Sequence, residues 1–208
     1  MFCYKIGSPC AVIILHEIYG LNEHILQIAR DFLYKGYDIY CPDFFSGKIF
    51  SYAEQEQAYD YFINHVKFEA YCMVNQLIQS LRPKYRKIVL LGYSVGATIA
   101  WRSTENGLLD CMVGYYGSRI RDYPDISPKC PALLLFAKKE KTFDVIKLAN
   151  VLTDKAKIEI LDGRHGFCDP FGSNYCQKSC ERARELTFAF LFENRVTETG
   201  FFHSDDWE

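Results

Sequence analysis

The sequence lacks several features that would assign it to a specialised class. No apolar run approaches the roughly 18 residues that a membrane-spanning helix needs. Neither charge sign dominates, since 24 Lys and Arg stand against 26 Asp and Glu. A net charge of −2 does not predict the basic surface that nucleic acid attracts. The sequence therefore predicts neither a membrane protein nor a nucleic-acid-binding protein.

Paired-cysteine motifs are also missing. The nine cysteines are odd in number and none is spaced as CxxC, which argues against a disulfide framework. The N-terminus has no basic segment followed by an apolar run and a cleavage site, so a reducing cytoplasm is the expected location. Cys176 and Cys180 lie near His165 in the sequence, but no second ligand pair accompanies them. We expect no metal and no cofactor.

The chain instead alternates between two kinds of segment. Its 208 residues, 49% of them hydrophobic, predict a single domain over residues 1–208 with a tail from about residue 196. That tail, with Phe201, Phe202 and Trp207, is expected either to fray or to dock on this or another subunit.

Short apolar runs predict strands at 11–15, 37–41, 87–91, 111–115, 132–136 and 157–161, each buried on both faces. Helical spacing predicts helices at about 22–35, 52–81 with one possible break, 97–106, 143–153 and 177–193. This alternation predicts a mostly parallel sheet covered on both faces.

The stretch "LGYSVGA", residues 91–97, places Ser94 between two glycines after the apolar strand "KIVLL". A helical segment follows, and strand, tight turn and helix are the setting in which a nucleophilic serine is exposed at the edge of a sheet. Gly92 and Gly96 fit a turn in which two backbones approach closely. The Val95 amide, at the start of the helix, could receive developing negative charge.

A serine hydroxyl needs a base, and the base needs an orienting acid. His165, in the loop "LDGRHGFCDP" after the last predicted strand, is the best-placed base. His16 could line the same pocket, whereas His24, His65 and His203 fit a helix surface or the tail. The acid should fall between Ser94 and His165, the order found in α/β hydrolases. Glu140 follows a strand directly, and Asp144 and Asp162 remain alternatives.

Several stretches in order resemble the dienelactone hydrolase family of α/β hydrolases. The resemblance is carried by "LHEIYGLNEHI" (15–25), "CPDFF" (41–45), "EQAYDYF" (56–62), "GYSVGA" (92–97), "VGYYG" (113–117), "PALLLFAKKE" (131–140) and "GRHGF" (163–167). It implies an α/β-hydrolase fold with a mostly parallel sheet of six or seven strands, flanked by helices and truncated in its N-terminal strands.

The resemblance also implies roles for individual residues. The family's nucleophilic cysteine corresponds to Ser94, its acid to Glu140 and its base to His165. It places Glu17 close to the nucleophile and adds the Ile18 amide to that of Val95 in the oxyanion hole. The role of Glu17 stays open: it could hold its loop or accept a hydrogen bond from Ser94.

Two substrate-binding arginines of the family correspond here to Gln55 and Asp169. Neither can form a bidentate contact with a carboxylate, and Asp169 would repel one, so we expect poor activity on dienelactone. Arg119, Arg121 and Arg164 could supply a different anchor. Aromatic residues near strand ends are candidate pocket residues: Tyr19, Phe44, Phe45, Tyr59, Tyr115, Tyr116 and Phe167.

The sequence thus predicts a serine carboxylic-ester hydrolase that acts on a small ester or lactone through an acyl-enzyme. Its expected partner is that small molecule, and it is expected to be a monomer or a homodimer. A thioesterase or acyltransferase, which would share the same three side chains, is one alternative. A non-catalytic binding protein on a hydrolase fold is the other.

Overall fold

A computed structural model describes residues 1–196 of the chain. The predicted tail, with Phe201, Phe202, His203 and Trp207, lies outside the described residues apart from its first position.

Seven strands form one sheet in the order β1-β3-β2-β4-β5-β6-β7. The strands are β1 Phe2–Tyr4, β2 Cys10–Leu15, β3 Asp38–Cys41, β4 Lys87–Tyr93, β5 Cys111–Tyr115, β6 Ala132–Lys139 and β7 Lys157–Arg164. Only β1 is antiparallel to its neighbour, and every other pair is parallel. The predicted α/β-hydrolase sheet, with one short strand before the core, is confirmed.

Helices connect these strands and cover the sheet. The α-helices are α1 Glu23–Tyr34, α2 Gln55–Tyr61, α3 Tyr71–Leu81, α4 Val95–Ser103, α5 Val145–Leu152 and α6 Gln177–Glu193. Helix α1 begins where expected because the Asn22 side chain accepts from the Ile25 amide at 3.2 Å, an N-cap. The predicted 52–81 segment is interrupted by a π-turn at Phe62–Val66 and by Lys67, whose φ of 59° leaves helical geometry.

The sheet is buried by two apolar layers, one on each face. Helices α1 and α6 pack on one face through Phe32 and Leu191, and α3 and α4 cover the other through Ile78 and Trp101. The prediction that every strand is buried on both faces is wrong for β7, whose residues are exposed or half-buried, because β7 is an edge strand. Within residues 1–196, no helix has the length and apolar character needed to cross a bilayer.

Candidate active site

Ser94 occupies a strained turn between β4 and α4. Its φ of 53° and ψ of −114° are rare for a residue with a side chain. The turn is tight: a Cβ on Gly92 would lie 2.4 Å from the Gly96 carbonyl oxygen, and a Cβ on Gly96 would lie 2.5 Å from the Leu15 carbonyl oxygen. Both glycines are therefore required by the close approach of backbone segments, as predicted from "GYSVGA".

Three predicted side chains meet at the carboxyl edge of the sheet. Ser94 Oγ lies 2.8 Å from His165 Nε2, and His165 Nδ1 lies 2.9 Å from Glu140 Oε1. An ionised carboxylate only accepts, so Nδ1–H donates to Glu140 and Nε2 is left to accept from the Ser94 hydroxyl. The geometry can move a proton from serine to histidine.

The orientation of His165 is supported from several sides. The Glu140 side chain beneath it is only 5% exposed, so Glu140 is not a solvated surface charge. The Asn174 side chain donates to the His165 carbonyl oxygen at 2.9 Å, and the Tyr116 ring packs 5.1 Å from the imidazole. These contacts hold the ring against Ser94.

The two alternative acids lie elsewhere. Asp144 caps α5, where its carboxylate accepts from the Ile146 and Lys147 amides at 3.0 and 3.1 Å. Asp162 is largely exposed and pairs with Lys139 at 3.3 Å. Neither carboxylate contacts His165.

The amides of Val95 and Ile18 both belong to residues that line the pocket around Ser94. Neither amide donates to an acceptor elsewhere in residues 1–196. The Val95 amide lies at the N-terminus of α4, where the helix dipole favours negative charge. The two groups are therefore free to bind an oxyanion.

His16 fixes the backbone next to Ile18. Its Nε2 accepts from the Phe44 amide at 3.1 Å, so its Nδ1 carries the proton and donates to the Glu17 carbonyl oxygen at 2.6 Å. That oxygen and the Ile18 N–H belong to one trans peptide unit and point in opposite directions. Burial lowers the pKa of His16 to about 4, which keeps the ring neutral. The expectation that His16 could line the pocket is wrong, because the ring is fully buried behind it.

The pocket at Ser94 has a volume of about 520 Å³, within the range of small-molecule sites. Of the predicted aromatic residues, Tyr19 and Tyr59 line it. The prediction is wrong for Phe44, Phe45, Tyr115, Tyr116 and Phe167, which are absent from its wall. Tyr116 and Phe167 are fully buried and pack on one another at 5.2 Å, so they support His165 from behind.

Both Gln55 and Asp169, the residues at the two arginine positions, line this pocket. Its wall also carries five cations that follow or end β5, β6 and β7, namely Arg119, Arg121, Lys139, Lys141 and Arg164. Arg119 pairs with Asp122 at 2.7 Å. The predicted alternative anchors are therefore present in the wall, although they come from segments other than those of the family's arginines.

Glu17 lies in the pocket wall with Ser94 but makes no hydrogen bond to it among the described residues. Its side chain is buried, and burial raises the pKa of its carboxyl group. The ionisable side chains beside it are those of His24 and Asp169, both buried as well. The assignment of His24 to a helix surface is therefore wrong, whereas His65 is exposed as predicted.

Sequence reasoning missed Tyr52 and the burial of His24. Tyr52 donates to Asp169 Oδ2 at 2.6 Å and accepts from the Asn22 side chain at 3.1 Å. Nothing local to Tyr52 signals this contact across 117 residues. The burial of His24 had a signal, because Ile28 and Phe32 follow at helical spacing and pack on the core.

The cysteines do not complete a metal site with His165. All nine are free, and Cys176 and Cys180 make contacts with Ser179 and the Cys168 carbonyl. Within residues 1–196, the one group of His, Cys, Asp and Glu side chains close enough to share an ion is Glu17, His24 and Asp169.

Known proteins resemble this chain in both sequence and fold. The model of the dienelactone hydrolase family matches residues 5–194. Uncharacterized protein YczH of Bacillus subtilis is 37% identical over 166 residues, and the match covers 76% of this chain and 81% of YczH. Carboxymethylenebutenolidase of Pseudomonas putida is 27% identical over 150 residues, and the match covers 62% of this chain and 61% of that enzyme.

Solved structures resemble this chain more closely in fold than in sequence. A Klebsiella pneumoniae protein classed with the dienelactone hydrolases superposes with a TM-score of 0.76 at 18% identity, over 91% of this chain and 89% of that one. The dienelactone hydrolase-like promiscuous phosphotriesterase P91 from metagenomic libraries gives 0.70 at 16% identity, over 91% and 88%. A propionate-bound esterase of Thermogutta terrifontis gives 0.63 at 13% identity, over 94% and 87%.

Proposed function

The chain belongs to the dienelactone hydrolase family of α/β hydrolases, and on that premise we propose that it hydrolyses a small carboxylic ester or lactone through an acyl-enzyme on Ser94. The observation that carries the proposal is the continuous hydrogen-bonded chain from Ser94 through His165 to Glu140, at 2.8 and 2.9 Å. Ser94, the first residue of this hydrogen-bonded series, lines a pocket large enough for a small ester.

The first half of the proposed reaction forms the acyl-enzyme. Ser94 Oγ attacks the carbonyl carbon while His165 Nε2 takes the hydroxyl proton, and Glu140 stabilises the resulting imidazolium. The amides of Val95 and Ile18 bind the oxyanion of the tetrahedral intermediate. When that intermediate collapses, the bond to the leaving oxygen breaks and His165 donates its proton to the alkoxide.

The second half repeats this chemistry with water. His165 removes a proton from a water molecule that attacks the acyl carbon, and the Ser94 oxygen leaves as the free hydroxyl after accepting that proton. The products are one carboxylic acid and one alcohol, or one hydroxy acid from a lactone.

We further propose that the reacting end of the substrate is uncharged. Asp169 lines the pocket and is buried, so it disfavours a carboxylate held beside it. Dienelactone, which carries such a carboxylate, should be a poorer substrate than a neutral lactone of the same size. Three of the five cations of the wall are already paired with acids: Arg119 and Arg121 with Asp122, and Lys139 with Asp162.

Covalent labelling tests the nucleophile. A fluorophosphonate should label one site per chain in the wild type, and nitrophenyl acetate should give a burst of one equivalent of nitrophenol. Both signals should disappear in Ser94→Ala and persist in Ser118→Ala, a matched control because Ser118 also lines the pocket. Labelling that survives in Ser94→Ala, or that is absent from the wild type, would refute the mechanism.

A substrate panel tests the class. It should contain neutral esters of increasing acyl length, a neutral lactone, dienelactone and an acyl thioester. We expect kcat/KM to be highest for the short neutral esters or the lactone. Equal turnover of dienelactone and the neutral lactone would contradict the role given to Asp169, and preference for the thioester would replace the ester proposal.

A further inference from the structure

Glu17, His24 and Asp169 meet beside the pocket from three separate segments: the loop after β2, the first turn of α1 and the loop after β7. All three are buried, with exposures of 4%, 2% and 2%. His24 Nδ1 lies 3.9 Å from Glu17 Oε2 and 3.7 Å from Asp169 Oδ2. One potential ligand atom from each residue lies within 4.8 Å of the others.

These separations are too long for hydrogen bonds. His24 Nδ1 and Glu17 Oε1 are both buried and have no hydrogen-bond partner in the described part of the chain. Buried polar atoms without partners are costly, and such atoms call for a specific explanation. Here the unpartnered atoms belong to one imidazole and one acid. The oxygens of Asp169 accept from the Tyr52 hydroxyl and the Phe171 N–H, and each keeps a lone pair for a further contact.

The spacing suits a shared ion. Two ligands about 2.1 Å from one metal lie roughly 3.4 Å apart at the tetrahedral angle and farther apart as that angle opens. The observed 3.7 and 3.9 Å correspond to angles somewhat wider than tetrahedral. Two carboxylates would balance the charge of a divalent cation, and the imidazole nitrogen favours a first-row transition ion over Mg²⁺ or Ca²⁺.

From this geometry we propose that Glu17, His24 and Asp169 bind a divalent first-row transition-metal ion beside the substrate pocket. The site departs from the expectation of a metal-free protein. The hydroxyl of Tyr52, itself held by Asn22, donates to Asp169 Oδ2 and orients that carboxylate as an outer partner of a ligand does. Glu17 and Asp169 line the pocket, which gives the ion a route in from that side.

Cobalt(II) is the probe, because its spectrum distinguishes ligands. After treatment with a chelator, the full-length protein should bind one equivalent of Co²⁺ by equilibrium dialysis. Visible d–d absorption should appear without the near-ultraviolet charge-transfer band of thiolate ligation, which matters in a chain with nine free cysteines. A Cys176→Ser, Cys180→Ser variant should bind equally well.

Two ligand variants and one matched acid control complete the test. Asp169→Asn and His24→Gln should each weaken Co²⁺ binding at least tenfold, on the order seen when a metal's surroundings are altered. Asp162→Asn removes an exposed carboxylate outside the cluster and should leave binding unchanged. Far-ultraviolet circular dichroism checks the fold, and the two ligand variants are independent if one does not fold.

Absence of Co²⁺ binding by the folded wild type would overturn the proposal and leave the cluster balanced by protons. Unchanged binding in a folded Asp169→Asn or His24→Gln variant, or a thiolate band that the cysteine variant removes, would do the same. The inference is independent of the proposed esterase mechanism, because Ser94→Ala should retain the cobalt spectrum.

Discussion

Two groups at and beside the pocket each pair a histidine with one or two carboxylates, and they differ in spacing and exposure. His165 lies 2.8 Å from Ser94 Oγ and 2.9 Å from Glu140, and its side chain is 36% exposed. His24 lies 3.7 and 3.9 Å from its two acids, and its side chain is 3% exposed. Residue types alone therefore do not identify the chemistry. The closely spaced, accessible group at His165 can transfer a proton, whereas the widely spaced, buried group at His24 has the spacing that a shared ion needs.

The sharpest way to break this comparison is to neutralise one acid in each group. Glu140→Gln should lower kcat for nitrophenyl acetate roughly 10³- to 10⁴-fold, because the amide no longer stabilises the imidazolium or selects its tautomer. Asp169→Asn should lower it less than about tenfold, since Asp169 does not contact His165. The measurement is the steady-state kcat of both variants, with the enzyme concentration taken from titration of the active sites with the covalent label. Equal losses would show that the two groups act as one unit.

A third histidine sharpens the comparison, because His16 is hydrogen-bonded at both nitrogens without any carboxylate. Its pKa is lowered from 6.5 to about 4 by burial. In the unfolded chain His16 therefore binds a proton below about pH 6.5, whereas in the folded chain it does so only below about pH 4. Stability contributed by neutral His16 is present above pH 6.5 and is lost as the pH falls towards 4, by up to roughly 3 kcal/mol.

Urea titrations between pH 4 and 7.5 measure this effect. His16→Gln cannot titrate, so its free energy of unfolding should depend less on pH over that window than that of the wild type. The difference between the two proteins removes the contribution of other groups, including Glu17, whose raised pKa acts with the opposite sign. If the free energy of unfolding depends on pH equally in both proteins, His16 takes up its proton at the same pH in the folded and unfolded states, which would contradict this prediction.

The same histidine should affect turnover through the peptide that contains the Ile18 N–H. His16→Leu removes the donor to the Glu17 carbonyl, so the Ile18 amide loses its fixed direction and kcat should fall about 10- to 100-fold with little change in KM. His16→Gln keeps an N–H donor and should recover much of that loss. A larger effect on KM than on kcat would assign His16 to substrate binding instead.

The smallest expected effect concerns charge selectivity. In the chelator-treated protein, Asp169→Asn should raise kcat/KM for dienelactone relative to a neutral lactone by about three- to tenfold, on the order of 1 kcal/mol, because one buried repulsion is removed. Competition between the two lactones in one reaction gives this ratio directly. Glu185→Gln, an exposed change on α6 paired with Arg182, serves as the control and should leave the ratio unchanged.

Local patterns in the sequence predicted most of the fold and the short-range part of the site. Apolar runs marked six strands, and five of them, β2 to β6, are buried on both faces and so have no polar face. Helix α6 begins and ends at the predicted residues. Ser94 was identifiable because its turn demands glycine on both sides. The break at Lys67 was not located, because a positive φ at a lysine has no compositional signature.

The wider surroundings of the site depended on contacts between distant segments. Tyr52 and Asp169 are 117 residues apart, and His16 and Phe44 are 28 apart. Aromatic residues were poor guides to the pocket because the chain has many of them, 16 Phe and 15 Tyr, and a number, such as Phe167, are buried in the core. The burial of His24 could have been predicted from its helical register with Phe32.

The pocket is built from two stretches of the chain, one before β4 and one from β4 onwards. Ser94, Glu140 and His165 all follow the start of β4, whereas Tyr19, Tyr52 and Tyr59 precede it and supply an aromatic part of the wall. A crossover placed before β4 in a chimera of two relatives would exchange that part of the wall and inherit the serine, base and acid intact. Such a chimera would also exchange the Ile18 amide, so its turnover would report how well the new first stretch positions the oxyanion donor.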